Sequence, residues 1–173
     1  LFWSMAKVSI LYALTDDIIV DTIIDKQKKH ERDLAMQHLA RMSDLAIQSD
    51  SVVIFDRGYY STDMFSECHN TGCKCLMRLR KCMNFCKLPG NDVISNVIAP
   101  DGSRIPCRIL KVTLSTGEIE YLITDIMDDD ITCEMFGDLY FERWQIETKY
   151  LELKEHSKIE EFTGKTPHAV RQD

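Results

Sequence analysis

Tyr140, Arg143, Glu147 and Lys154 stand out first, spaced Tyr-x2-Arg-x3-Glu-x6-Lys within LYFERWQIETKYLELKE. On one continuous helix from Leu139 to Glu155, at about 100° per residue, the four fall within a stripe roughly 60° wide. Leu139, Ile146, Tyr150 and Leu153 flank that stripe on one side, and Trp144 and Leu151 on the other, while Glu142, Gln145, Lys149 and Glu152 point away. The charges therefore occupy the middle of the arc that an amphipathic helix buries, where an unpaired ion costs roughly several kcal/mol. Two chemistries compensate it. Arg143 and Glu147 form an i,i+4 pair, in the weaker Arg-first orientation, or Glu147 ligates a metal ion while Arg143 and Lys154 hold a phosphate. The helix alone leaves both open.

A second acid has a different setting. Ser51 to Phe55 is a short apolar run closed by Asp56-Arg57-Gly58, which reads as a buried strand with a carboxylate at its carboxyl end. Open α/β sheets place their sites there, and Gly58 suits a tight turn after the strand. Farther on, Lys74 to Asn91 contains no Asp or Glu but carries Lys74, Arg78, Arg80, Lys81 and Lys87. Such a run neutralises phosphates in a salt-dependent way or forms a solvated basic edge. The acidic run Asp128-Asp129-Asp130 is read as helix capping, since acids suit a helix amino terminus. Trp144 and Tyr59 are read as core aromatics rather than platforms for bases.

The chain has 173 residues, 45% apolar and 28% charged, which is globular composition with room for an ordinary core. No apolar run is long enough to span a bilayer, and LFWSMAKVSI lacks the basic leader and cleavage site of a signal peptide. A formal charge of −7 excludes a nucleic-acid-binding surface over the whole molecule but not a local one. Seven cysteines, an odd number, without a secretory signal indicate free thiols in a reducing compartment. Cys68, Cys73, Cys75, Cys82 and Cys86 cluster near His69, yet C-x-C and C-x3-C spacings are not those of a zinc ribbon. They read as small, mostly buried apolar side chains.

The elements that must position these residues are set by pattern. Lys7 to Tyr12 and the β-branched Ile18 to Ile24, with the polar turn Thr15-Asp16-Asp17 between them, predict a hairpin. Lys26 to Gln48 has no Gly or Pro and repeats apolar residues at Leu34, Met42, Leu45 and at Ala35, Leu39, Ala46, which predicts a helix. Ser61 caps a helix running through Asn70, Gly72 ends it, and Lys74 to Arg80 is a strand. Turn residues at 88–90, 100–102 and 115–117 then separate strands over Val93–Ile98, Arg108–Leu114 and Glu118–Ile123, an antiparallel insertion.

The spacing Tyr140-x2-Arg143-x3-Glu147-x6-Lys154 resembles the tyrosine-arginine-glutamate-lysine signature of DDE transposases of the insertion-sequence-four family. Residues 140–173 resemble that family almost throughout, and VVIFDRGYYS resembles the segment with its second catalytic aspartate. The resemblance implies an α/β, ribonuclease-H-like mixed sheet with an antiparallel β insertion before the catalytic helix. It divides the chain into a partial core at 1–86, the insertion at 87–130 and the rest of the core at 131–173. It implies Asp56 and Glu147 as catalytic ligands of Mg2+ or Mn2+, and Tyr140, Arg143, Lys154 and Arg57 as DNA contacts. The parent would cut phosphodiesters at transposon ends and join them to target DNA, as a homodimer assembled on DNA in the prokaryotic cytoplasm near the nucleoid, with no membrane partner. The first catalytic aspartate and its central strand are expected before Leu1, so the chain reads as an internal piece, by itself inactive. A DNA-binding remnant without catalysis, or a nuclease of the same fold without strand transfer, remains the alternative.

Overall fold

The computed structural model describes residues 6–26, 28–42 and 51–157. The chain divides into two compact units, one made of Leu1–His38 and Glu142–Asp173, the other of Leu39–Phe141.

In the first unit, β1 (Ala6–Ala13) and β2 (Ile18–Lys26) form the expected antiparallel hairpin. Its turn carries Asp17 at φ 55°, a left-handed conformation that Asp tolerates better than most residues. The helix expected over Lys26–Gln48 is α1 (Glu31–Arg41). Leu34 and Ala35 of its apolar repeat are buried, as are Leu39 and Met42, which belong to the second unit, while Leu45 and Ala46 lie outside the described residues. His38 of α1, 5% exposed, meets the hairpin through two polar groups. Its Nδ1 lies 2.8 Å from Asp21 Oδ2 and its Nε2 3.1 Å from Ser9 Oγ.

The second unit is built on a five-stranded mixed sheet: β3 (Val52–Phe55), β4 (Lys74–Arg78), β5 (Asp92–Ile98), β6 (Arg104–Thr113) and β7 (Ile119–Thr124). The order is β3-β4-β7-β6-β5, with β3 and β4 parallel and every other pair antiparallel. The antiparallel strands anticipated after Pro89 thus continue the same sheet through the β4–β7 pairing. Between β3 and β4 runs α2 (Thr62–Asn70), capped as expected by Ser61, whose Oγ accepts from Met64 N at 3.1 Å. Gly72, at φ 77°, turns the chain out of it.

Side chains alternate across the sheet, and both faces are covered. Leu76, Leu110 and Leu122 pack with Phe136 and Tyr140 of α3 (Cys133–Phe141) on one face. On the other face Cys75, Met77, Ile109 and Ile123 are fully buried, and Cys75 meets Cys68 of α2. Burial on both sides is why the middle of β4, Cys75-Leu76-Met77, is apolar on both faces. Gly137 lets α3 approach β6 closely, since a Cβ there would stand 2.7 Å from Val112 Cγ1. This mixed α/β architecture accords with the ribonuclease-H-like fold expected from the sequence.

Three local expectations are corrected. The single helix foreseen over Leu139–Glu155 is two, α3 and α4 (Trp144–Ser157), separated by a turn at Glu142-Arg143. There the bonding tightens to i→i+3, with Gln145 N donating to Glu142 O and Ile146 N to Arg143 O. Tyr140, held in the sheet core, and Glu147 therefore do not share one helical face. Nor is the run 128–130 the cap of α3: Thr132 is, its Oγ1 accepting from Met135 N at 3.3 Å, while Asp128 Oδ1 accepts from Asp130 N and closes a turn. Gly58 is not in the left-handed region and a Cβ on it would meet nothing within 4 Å, so its turn does not demand glycine.

Candidate functional site

The site expected from sequence falls in two groups of residues, one in each unit. In the sheet unit, Asp56 comes directly after β3, and a turn closed by Tyr59 N donating to Asp56 O at 3.0 Å holds it at the strand's carboxyl end. Tyr140, 3% exposed, reaches it from α3: the phenol donates to Asp56 Oδ1 at 3.1 Å. The ring belongs to the apolar cluster under α3 and only its hydroxyl meets the carboxylate, the usual division of a buried tyrosine. Arg57, next in the turn, is exposed. Tyr59 packs its ring against Phe55 at 5.6 Å between centroids.

In the other unit, Arg143 Nη1 donates to Glu147 Oε1 at 2.9 Å, the i,i+4 pair allowed for in the sequence. The arginine side chain is 11% exposed and the glutamate 48%, so Glu147 is not the deeply buried ion that the helical stripe implied. Trp144, expected in the core, is half exposed, with the Arg143 guanidinium 5.1 Å from its ring centroid. Leu151 is likewise exposed. Lys154 lies on α4, and its side chain lies outside the described ones.

The carboxylates of Asp56 and Glu147 are hard oxygen donors of the kind that Mg2+ and Mn2+ take. Among the described residues, however, no three His, Cys, Asp or Glu side chains are gathered as a cation site would need. The described residues alone therefore do not make up such a site. The cysteines are free thiols; Cys68, Cys73, Cys75, Cys86 and Cys107 are buried. A hydrogen bond to Cys68 and burial push the Cys75 thiol well up, and burial raises those of Cys73 and Cys86. These buried side chains pack as the small apolar residues expected from the sequence, whereas Cys82 is exposed.

The basic run divides. Lys74 Nζ lies 3.6 Å from Asp125 Oδ2, and Arg78 Nη2 lies 2.6 Å from Glu120 Oε1. Arg80, Lys81 and Lys87 are exposed.

Two arrangements escaped the sequence reading. Asp125, 5% exposed just past β7, accepts from Cys75 N at 2.8 Å. Its signal was present, because IEYLITD is an apolar strand closed by an acid just as VVIFD is. The antiparallel register puts it near the amino end of β4, at the far end of the strands from Asp56. Arg108, also 5% exposed, pairs with Asp92 through Nε (3.1 Å) and Nη2 and donates to the carbonyls of Asp128 (2.6 Å) and Ile131 (3.0 Å). An arginine inside an apolar strand was the clue, but its partners are brought by tertiary structure.

The mixed sheet thus carries an acid at the end of β3 that a tyrosine of α3 meets. The sequence model described as Transposase DDE domain matches residues 2–173, and the chain belongs to that family. It is 25% identical over 177 residues to the transposase InsG for insertion sequence element IS4 of Escherichia coli (strain K12), an alignment covering 92% of this chain. The chain spans 39% of that relative's length. Among the described residues no helix is long and apolar enough to cross a membrane.

Proposed function

We propose that the protein is a DNA transposase of the insertion-sequence-four kind, cutting phosphodiesters at the ends of a mobile element and joining them to target DNA. The observation that carries this reading is the Tyr140–Asp56 hydrogen bond, which joins the signature's tyrosine to the acid of the DRG turn. The two resembling segments thus share a contact between residues 84 positions apart.

Asp56 and Glu147 serve as two of the carboxylates for Mg2+ or Mn2+; bound divalent ions would stabilise the attacking and leaving oxygens of an in-line displacement. The chain's own residues bind and orient. Tyr140 fixes the rotamer of Asp56. Arg143 offers a planar donor fork suited to a terminal phosphate, with Lys154 adding charge and Arg57 available beside the acid. Joining two ends calls for a homodimer on DNA, and such a protein works at the nucleoid.

The test is cleavage of a supercoiled plasmid carrying the element's ends by the full-length protein with Mg2+ or Mn2+. Nicking and joining are expected, with D56N and E147Q reduced to background while still binding DNA. Undiminished cleavage by either variant would remove the assignment of the acids, and no cleavage by the native protein with either ion would remove the enzymatic reading.

A further inference from the structure

We propose that the loop after β4 is a phosphate-binding surface that carries duplex DNA past Asp56 through Arg80, Lys81 and Lys87. The inference rests on the transposase reading and adds to it the location of a DNA path.

The parallel register of β3 and β4 pairs Phe55 with Met77, so the two strands end side by side. Asp56 and the segment after Arg78 therefore leave the sheet at the same end. Beyond β4 the chain forms a folded loop. Leu79 is buried and its N–H donates to Tyr121 O at 2.8 Å. Arg80 O accepts from Met83 N at 3.0 Å and from Cys86 Sγ at 3.3 Å. A short 3-10 helix, Asn84–Lys87, puts the Phe85 ring edge-on to Tyr60, 6.3 Å between centroids, and Tyr60 lies four positions past Asp56. Lys111 Nζ closes the loop's end by donating to Leu88 O at 2.5 Å.

This anchoring sorts the basic residues by what they face. Lys74 and Arg78 spend their charge on Asp125 and Glu120 inside the sheet unit. Arg80, Lys81 and Lys87 are exposed, and among the described residues none of them is paired with an Asp or Glu. The single polar partner described for Lys87 is the neutral amide of Asn84, at 3.3 Å. In a chain of net charge −7, three unneutralised cations on a fixed loop beside a candidate phosphodiester-cleaving acid form a local positive surface. DNA, with about one charge per 1.7 Å of axis, is the polyanion that such a surface suits.

The experiment measures binding of fluorescently labelled duplex DNA of arbitrary sequence to the full-length protein as a function of salt. Each phosphate contact contributes about 0.9 to the slope of log affinity against log salt, so R80Q/K81Q/K87Q is expected to lower that slope by up to about 3. The R78Q/E120Q variant, which removes one pair of opposite charges, is expected to leave it unchanged. Exposed Cys82, inside the loop, gives a readout that needs no folding variant: saturating duplex should slow its alkylation by maleimide relative to Cys133. A native protein that binds DNA with an unaltered slope in the triple variant, or with Cys82 alkylated as fast as before, overturns the loop assignment and leaves the transposase reading standing. A native protein that binds no duplex overturns both.

Discussion

Tyr140 donates its hydroxyl to Asp56 at 3.1 Å from a ring sealed among Leu76, Leu110, Leu122 and Phe136. The contact fixes α3 over the end of β3 and holds one oxygen of the carboxylate in a defined direction. Y140F keeps the apolar contacts and loses the hydrogen bond, so it should lower unfolding free energy by about 1–2 kcal/mol. A double-mutant cycle with D56A, which removes the acceptor, followed by urea unfolding, should return a coupling of similar size; additivity would show that the contact is not energetically real.

Gly137 predicts an effect opposite to helix propensity. Alanine in a helix is favoured over glycine by about 1 kcal/mol, yet its Cβ would press on Val112 Cγ1 at 2.7 Å. Valine has little rotamer freedom to yield, and overpacking costs about 1–3 kcal/mol. G137A should therefore be net destabilising, and G137A/V112A should recover part of the loss in the same unfolding assay.

Arg108 predicts a large loss from a small change. Its guanidinium serves Asp92 and two carbonyls at once and stacks 5.2 Å from the Phe136 ring centroid. R108A leaves both carbonyls without their donor, while the partly exposed Asp92 is taken up by water, and should cost about 2–3 kcal/mol. R108K should recover only part, because an ammonium cannot reproduce the fork. Amide exchange at 128–131 should quicken in both variants.

Two groups under the sheet should contribute to the alkaline limb of stability, alongside the raised thiols of Cys73, Cys75, Cys86 and Cys133. Burial pushes the Tyr60 phenol up to about 12 and the Cys107 thiol up to about 11, from ordinary values of 10.0 and 9.0. Both are raised in the folded state, so below pH 9 each is protonated in folded and unfolded chains alike and contributes no pH dependence. Above that, the unfolded chain releases its protons first. Stability should fall from about pH 9 to 11 through Cys107 and from about pH 10 to 12 through Tyr60. C107A and Y60F should each flatten their part of the urea midpoint against pH.

The hairpin, α2 with its Ser61 cap, and the alternation of three later strands were legible because each is decided by neighbours within a few residues. The split between α3 and α4 was not. FERWQIE contains no Gly or Pro, so nothing local announces the break at which the bonding tightens over 142–146. The same limit applied to the basic run. Spacing revealed five cations, but only the fold could say that Glu120 and Asp125 neutralise two of them. The end-of-strand acid Asp56 could be read from its apolar run, whereas its tyrosine partner depended on a contact 84 positions away.

The turn at Glu142-Arg143 changes what the signature's spacing measures. The two residues between Tyr140 and Arg143 lead out of α3 into the turn, whereas the three between Arg143 and Glu147 count about one helical turn. A motif of this kind is two pieces of hardware joined by a fitting. Lengthening the fitting by one residue would leave the phenol on its carboxylate and the guanidinium on its glutamate, each local bond intact, while erasing the pattern by which the letters are recognised.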